Sequence, residues 1–403
     1  MKRILFVTTS CFPVRGAECI VNARLLSVLS RSGQFKIDLV TKKSKWQNYP
    51  SDSLQEYNIQ LESLEMIEVD NKINIRTIWQ HILAFIKFGT VNKGDHWAVK
   101  ALPIVKKLVK HNSYDYILTR AQPSHLIGNY VKQKYHIKWV CTWNDPYPTD
   151  MYPKPYGKGN DETIASKNAK TIRIMQNADV FIYPNKRLAA YMNKFIKVVD
   201  DRIKVIPHVM MEEPQQKVRA KSNTLCFIHS GDCTGERSAH NFLLAIKELI
   251  TQGAIQCDEI RISFMGRINE ADRELLKDTT LDKVVELIDP VSYLDSLEIL
   301  KDYDVAVIIE APWEEGVFLP TKVSDFMMKG KRVLAISPRV GILHDLFEEG
   351  FIQYFADVSD YHSIKNEVSR IINDSKYGEW NDLTINVPVE YTKSYVLNEF
   401  INI

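Results

Sequence analysis

Short runs of Val, Ile, Leu and Phe recur along this chain, separated by longer amphipathic stretches. In the first half the strand-length runs are Ile4–Thr8, Ile37–Thr41, Leu61–Val69, Tyr116–Thr119, Lys138–Thr142, Val180–Tyr183 and Ile203–Ile206. Helical patterns such as Ala17–Arg31, Ser124–Lys134 and Lys186–Lys197 lie between them. The second half repeats the alternation, with strands at Thr224–His229, Glu259–Phe264, Val284–Leu287, Val305–Ile309, Arg332–Ile336 and Ile352–Phe355. Its helical stretches include Asn241–Thr251, Tyr293–Lys301 and Lys322–Lys329. Continuous apolar strands alternating with helices predict parallel sheets covered on both faces. Two such series predict an α/β chain of two doubly wound domains, residues 1–206 and 224–388. The polar, Pro-bearing segment 207–223 is the expected linker, and residues 389–403 carry a final helical period.

Length agrees with this division, because 403 residues exceed one ordinary core and suit two domains. The apolar share of 45% and charged share of 25% are those of a globular protein rather than a disordered or fibrous one. Six cysteines form no CxxC pair and no zinc-like spacing with histidine, which points to a reducing compartment. The opening MKRILFVTTSCFP has too short an apolar run for a secretory signal and reads as a first buried strand. No stretch reaches the ~18–20 apolar residues of a spanning helix. The expected location is cytoplasmic.

The net charge of +2 conceals an asymmetry. Residues 1–205 hold 32 Lys+Arg against 17 Asp+Glu, a balance of +15; the rest hold 20 against 33, a balance of −13. A basic first half admits an anionic partner such as a membrane surface, or simply solvated lysines. It brings no nucleic-acid recognition motif with it, so no nucleic-acid partner is expected. Residues 74–111 sharpen the membrane possibility, being rich in both aromatic and basic residues: Ile78, Trp79, Ile82, Phe85, Ile86, Phe88 and Trp97 with Lys106, Lys107 and Lys110. They read either as a membrane-surface platform or as helices packed on their own domain.

In open parallel sheets ligands bind beyond the carboxyl ends of strands, so the loops leaving strands are where chemistry is expected. Three stand out. The first runs from Thr8 to Glu18, with Gly16 opening a helix, where backbone N–H groups accept an anion. The second runs from His229 through Ser230, Gly231 and Gly235 to Arg237, read as a helix start bearing a cation suited to phosphate. The third runs from Glu314 through Val317, Phe318, Leu319, Pro320 and Thr321 to Lys322 and Asp325. Lys322 opposes the helix dipole unless an anion lies there, and Asp325 falls one turn later on the same face.

The order of these pieces resembles the GT-B glycosyltransferases, in particular the retaining, nucleotide-sugar-dependent family 4. The segments that carry the likeness are ILFVTTSCFPVRGAE, KWVCTWNDPYP, NADVFIYPNKRLAAYM, HSGDCTGERSAHNFLLAI, VELIDPVSYLDSLEIL and FLPTKVSDFMMKGKRVLAI, in the family's order across nearly the whole chain. The resemblance implies two Rossmann-like domains facing a central cleft, with a last helix returning to the first domain. It implies Gly16 beside the donor diphosphate and Arg237 and Lys322 as its two cationic ligands. Asp325 would meet the ribose, backbone of Val317, Phe318 and Leu319 would line the sugar with Ser230, Gly231 and Thr321 nearby, and Gly266 with Pro290 and Val291 would hold the base. Two positions depart from the family. Val317 stands where a glutamate usually falls, and Asp325 replaces a second glutamate. On the acceptor side, Asn144-Asp145 occupies the place of a common histidine, and Asp145 is the catalytic candidate there.

The expected function is sugar transfer from a nucleotide-sugar, a UDP-sugar being favoured. The acceptor would be a saccharide or a lipid-linked acceptor in cell-surface polysaccharide synthesis, with peripheral placement on the inner membrane face as the expectation from the basic half. No DxD-like carboxylate pair or His cluster is present, so no metal and no cofactor beyond the co-substrate is expected. The rival readings are a catalytically silent GT-B protein acting as a binding partner and a GT-B-like nucleotide-sugar epimerase.

Overall fold

The structure is a computed structural model that describes all residues except 45–50, 71, 73, 91, 93, 148, 160, 161, 216–222 and 378–384. The expected linker 207–223 therefore lies partly outside the described residues. The chain separates into two compact units. The first comprises residues 1–152, 156–211 and 390–403; the second comprises 153–155 and 212–389.

The first unit is built on a seven-stranded sheet of β1 (Lys2–Thr8), β2 (Phe35–Lys42), β3 (Ser63–Ile67), β4 (Tyr116–Arg120), β5 (Lys138–Thr142), β6 (Val180–Tyr183) and β7 (Ile203–Val205). The order is β3-β2-β1-β4-β5-β6-β7, and every pairing is parallel. Central strands are buried on both faces: Ile4, Leu5, Phe6 and Val7 of β1 and Ile117 and Leu118 of β4 are shielded from water. That double burial is why their sequences read as unbroken apolar runs rather than alternating ones. The edge strand β3 is shorter than the predicted 61–69, because its partner β2 ends at Lys42, opposite Ile67.

Residues 390–403 close onto this unit. The helix Lys393–Ile401 receives Lys2 Nζ on the Ile401 carbonyl at 2.5 Å and the Tyr116 hydroxyl on the Phe400 carbonyl at 3.4 Å. Lys204 pairs with Glu399 at 2.8 Å, and the Met210 N–H donates to the Tyr391 carbonyl at 3.0 Å.

The second unit carries β8 (Leu225–Ser230), β9 (Ile260–Met265), β10 (Val285–Ile288), β11 (Val305–Ile309), β12 (Arg332–Ser337) and β13 (Tyr354–Asp357). The order is β10-β9-β8-β11-β12-β13, again wholly parallel. Its core joins Phe227, Phe242, Leu243, Ile246, Phe264, Val307, Leu334, Tyr354, Val368 and Ile371 from strands and flanking helices. All thirteen strands coincide with the predicted apolar runs, with ends moved by one or two residues.

Both sheets share one topological property. In the first unit successive strands run outward from β1 in one direction and from β4 in the other; in the second they diverge from β8 and β11. The crevice between such a pair, at the carboxyl ends, is where open parallel sheets place their ligands.

Candidate functional site

In the second unit that crevice lies between the loops leaving β8 and β11. Strand β8 ends at Ser230, and Gly231 follows with a φ of 96°. Gly231 and Gly266, the first residue beyond β9, are packed backbone against backbone. A Cβ on Gly266, whose φ is 137°, would stand 2.7 Å from the Gly231 carbonyl carbon. A Cβ on Gly231 would stand 2.5 Å from Lys322 Nζ, so the absence of a side chain makes room for that ammonium. Lys322 opens the helix Lys322–Met328 on the β11 side. Two strand ends and one side chain thus converge because two residues have no side chain at all.

Arg237 approaches the same place by a different route from that expected. The helix after β8 begins at His240, so Arg237 stands in the loop before it and not in a first helical turn. The dipole argument for its position therefore does not apply. The reason for the late start lies elsewhere in the chain. The buried Asp272 carboxylate accepts the Ser238 hydroxyl at 2.9 Å and the Ala239 N–H at 2.9 Å. Asn269 Nδ2 donates to the Arg237 carbonyl at 2.7 Å and to the Gly235 carbonyl at 3.2 Å. These bonds keep the loop out of the helix until residue 240. Asp272→Ala would leave a buried N–H unsatisfied, at about 1–3 kcal/mol. Urea unfolding should show that loss; undiminished stability would show the loop is held by other means.

Beside Arg237, and within electrostatic reach of Lys322, is a carboxylate that local sequence did not single out. Glu310, directly after β11, is buried; it accepts Arg237 Nη2 at 3.3 Å and the Trp313 indole N–H at 3.3 Å. Lys322 is pushed down to about 8, first by withdrawal from water and then by the neighbouring Arg237, with Glu310 opposing. His229 lies beneath, its Nδ1 3.0 Å from the Val307 carbonyl, and burial with the nearby Lys322 keeps its imidazole neutral. Asp232 also favours the Lys322 ammonium, but its charge is matched by Arg267, which it engages, so that pair adds no net charge. Two cations and one carboxylate leave an excess positive charge facing the crevice. A multiply charged anion is the complement of that arrangement.

The remaining donor-side candidates surround it. The loop at Val317 is laced to the β12 side, with Gly316 N–H donating to the Val340 carbonyl at 2.8 Å and Ile342 N–H to the Gly316 carbonyl at 2.9 Å. Val317 and Leu319 are buried, while Phe318 sets its ring 4.6 Å from Trp313. Thr321 precedes Lys322 as the helix N-cap residue. Asp325 is buried and accepts the Tyr293 hydroxyl at 2.7 Å. Gly266 borders this group, and Pro290 and Val291 are exposed in the loop after β10.

In the first unit the corresponding crevice gathers the Gly16 loop and the segment after β5. Gly16, with φ 82°, caps the helix Ala17–Arg31. Asn144 Nδ2 donates to Glu18 Oε2, and Asn22 Nδ2 reaches Glu18 Oε1 at 3.5 Å. Asp145 is exposed and bonds the Tyr152 hydroxyl. A residue missed by the sequence reading is Arg120, the last of β4. Its guanidinium is buried, Nε donates to Thr142 Oγ1 at 2.9 Å, and Nη1 has no partner. The only available signal was an arginine ending an otherwise apolar strand.

No family model and no curated protein sequence matches the chain. Solved structures do. Sucrose-phosphate synthase from Thermosynechococcus elongatus is similar with a TM-score of 0.65 at 15% identity, over 100% of this chain and 96% of that one. HepE from Anabaena in complex with UDP and glucose gives 0.62 at 13% identity, over 100% and 99%. UDP-GlcNAc 2-epimerase from Neisseria meningitidis bound to UDP-GlcNAc gives 0.59 at 12%, over 99% and 98%. At these identities the likeness is one of fold.

Proposed function

We propose that this chain, which has the GT-B fold, is a glycosyltransferase that takes a sugar from a nucleotide-sugar, with a UDP-sugar as the favoured donor. The observation that carries the reading is the convergence of Arg237 and Lys322 about one carboxylate, Glu310, at the switch point of the second sheet. Breaking a sugar–phosphate bond leaves charge on the diphosphate while the sugar becomes oxocarbenium-like. Fixed cations aimed at the leaving group stabilise that state without reorganising. In this reading the two cations act on the diphosphate directly, with no metal ion. Retention of configuration, a saccharide or lipid-linked acceptor in cell-surface polysaccharide synthesis, and action at the cytoplasmic membrane face through the basic first half complete the proposal. They rest on the family resemblance and the charge balance.

In the second unit, Arg237 and Lys322 grip the diphosphate and Asp325 with its Tyr293 partner faces the ribose. Ser230, Gly231, Val317, Phe318, Leu319 and Thr321 border the sugar, and Gly266, Pro290 and Val291 the base. In the first unit, Gly16 keeps its role toward the diphosphate, and we assign Asp145 and Arg120 to the acceptor. Arg120→Gln is expected to raise the acceptor KM while leaving donor hydrolysis unchanged; equal loss of both would move Arg120 out of the acceptor site.

A thermal-shift screen of UDP-, GDP- and ADP-sugars tests the donor reading, since a ligand at 100 times its Kd stabilises by about 2.7 kcal/mol. A UDP-sugar is expected to stabilise most, with release of UDP when an acceptor is added. No response to any of the three would refute nucleotide-sugar binding. Nucleotide binding with neither transfer nor donor hydrolysis would favour the silent-partner reading, and conversion of the donor's own sugar without transfer would favour the epimerase.

A further inference from the structure

Six of the thirteen exposed large apolar side chains among the described residues stand on one helix, Ile75–Phe88 of the first unit. They are Ile75, Ile78, Trp79, Ile82, Phe85 and Ile86, with Ile75 89% and Trp79 58% exposed. At ~100° per residue they fall in an arc roughly 120° wide. The helix's buried residues, Thr77 and Ala84, lie opposite that arc. The usual polarity of a surface helix is thus inverted: its small and polar positions face its own unit, and its apolar stripe looks outward. Elsewhere the exposed apolar side chains are scattered, as is normal for a protein surface.

The helix does not need to bury that stripe in order to form. Asn74 and Thr77 make a reciprocal capping box at its start, and Gly89, at φ 73°, closes its end. Its 14 residues span ~21 Å. Among the described residues no helix is long and apolar enough to cross a membrane.

Charge decides what covers the stripe. The helix contains no Asp or Glu, and Arg76 and Lys87 lie by spacing along one flank of the arc. On the other flank Lys170 Nζ stands 5.5 Å from the centre of the Phe85 ring. Residues 74–111 hold seven Lys or Arg and a single acid, Asp95. That acid is buried and accepts the Thr90 hydroxyl at 2.9 Å and the Asn92 N–H at 2.7 Å. A second copy of the chain, stripe to stripe, would set these cations against each other. An anionic bilayer satisfies both features, taking the rings and Ile side chains at the acyl boundary and the cations at its phosphates.

We propose that the helix Ile75–Phe88 is an in-plane anchor that inserts its apolar stripe into an anionic lipid leaflet, held by Arg76, Lys87 and Lys170. This deepens the membrane-face reading of the proposed function, but it requires no sugar donor and so fails or stands separately from transfer. The test is cosedimentation of the full chain with vesicles of phosphatidylcholine containing about one-third phosphatidylglycerol, against vesicles of phosphatidylcholine alone. Binding to the anionic vesicles is expected, with a blue shift of tryptophan emission that Trp79→Phe removes. Trp79→Ser with Phe85→Ser is expected to weaken that binding at least ~10-fold. The same pair should leave the melting temperature and the response to UDP unchanged. Lys87→Gln with Lys170→Gln is expected to reduce the preference for anionic vesicles. Unchanged binding of the serine pair would overturn the proposal. So would a concentration-dependent dimer in sedimentation velocity that the serine pair abolishes, since a second copy would then cover the stripe.

Discussion

Arg237→Ala and Lys322→Ala are each expected to lower kcat by roughly 10²–10³-fold, the loss typical of one preorganised charge at a developing anion. The structure gives the two substitutions different secondary effects. Arg237 is partly paired, so its removal also leaves Glu310, a buried carboxylate, with only the Trp313 N–H among the bonds described above. That uncompensated charge acts on Lys322 and would hold its ammonium more strongly. Removing Lys322 instead leaves the Arg237–Glu310 pair intact and opens space beside Gly231. Donor KM is therefore expected to rise more in Arg237→Ala than in Lys322→Ala, while kcat falls in both. Steady-state kinetics with a saturating acceptor would show it, and near-normal turnover in both variants would remove these residues from the mechanism.

UDP affinity is expected to fall by up to about tenfold per pH unit above pH 8, because only a protonated Lys322 attracts the diphosphate. The amine is held at about 8, below its ordinary 10.5, by burial and by Arg237. A bound dianion supplies the missing counter-charge and raises it again, so binding takes up a proton across this window. Stability of the free protein follows the opposite course. The charged amine costs stability below about pH 8, and that cost is relieved as pH rises toward 10.5, where the unfolded amine also loses its proton. Calorimetry in two buffers of different ionisation enthalpy measures the proton uptake directly. The Lys322→Met chain carries whatever the nucleotide itself contributes to the pH profile. Glu310→Gln removes a charge that supports the ammonium, so the break should move to lower pH. A profile equally steep in Lys322→Met and in the unaltered chain would show that another group titrates.

The fold was legible because its strands are buried on both faces. Such strands leave unbroken Val, Ile and Leu runs, and all thirteen were found. Their ends were less legible because a strand stops where its partner stops, as β3 does opposite the end of β2. The candidate site was legible in its cations and illegible in what holds them. Arg237 and Lys322 follow strand ends and can be read as they stand. Glu310 looks like any acid after a strand until Arg237, 73 residues earlier, is brought to it. The start of the helix at His240 was misread because the acceptor that delays it, Asp272, comes from a distant helix, Glu270–Leu275. Asp325 was placed on the right helical turn, but nothing nearby announces the Tyr293 hydroxyl that it accepts.

The return of residues 390–403 to the first unit has a consequence for how the protein is made. Translation delivers the first sheet early, yet the helix that receives Lys2, Tyr116 and Lys204 is synthesised only after the whole second unit. At about 5–20 residues per second, the interval between residue 211 and residue 403 is roughly 10–40 s. Throughout it, a nascent first unit stands at the ribosome with that flank open, a natural station for a chaperone.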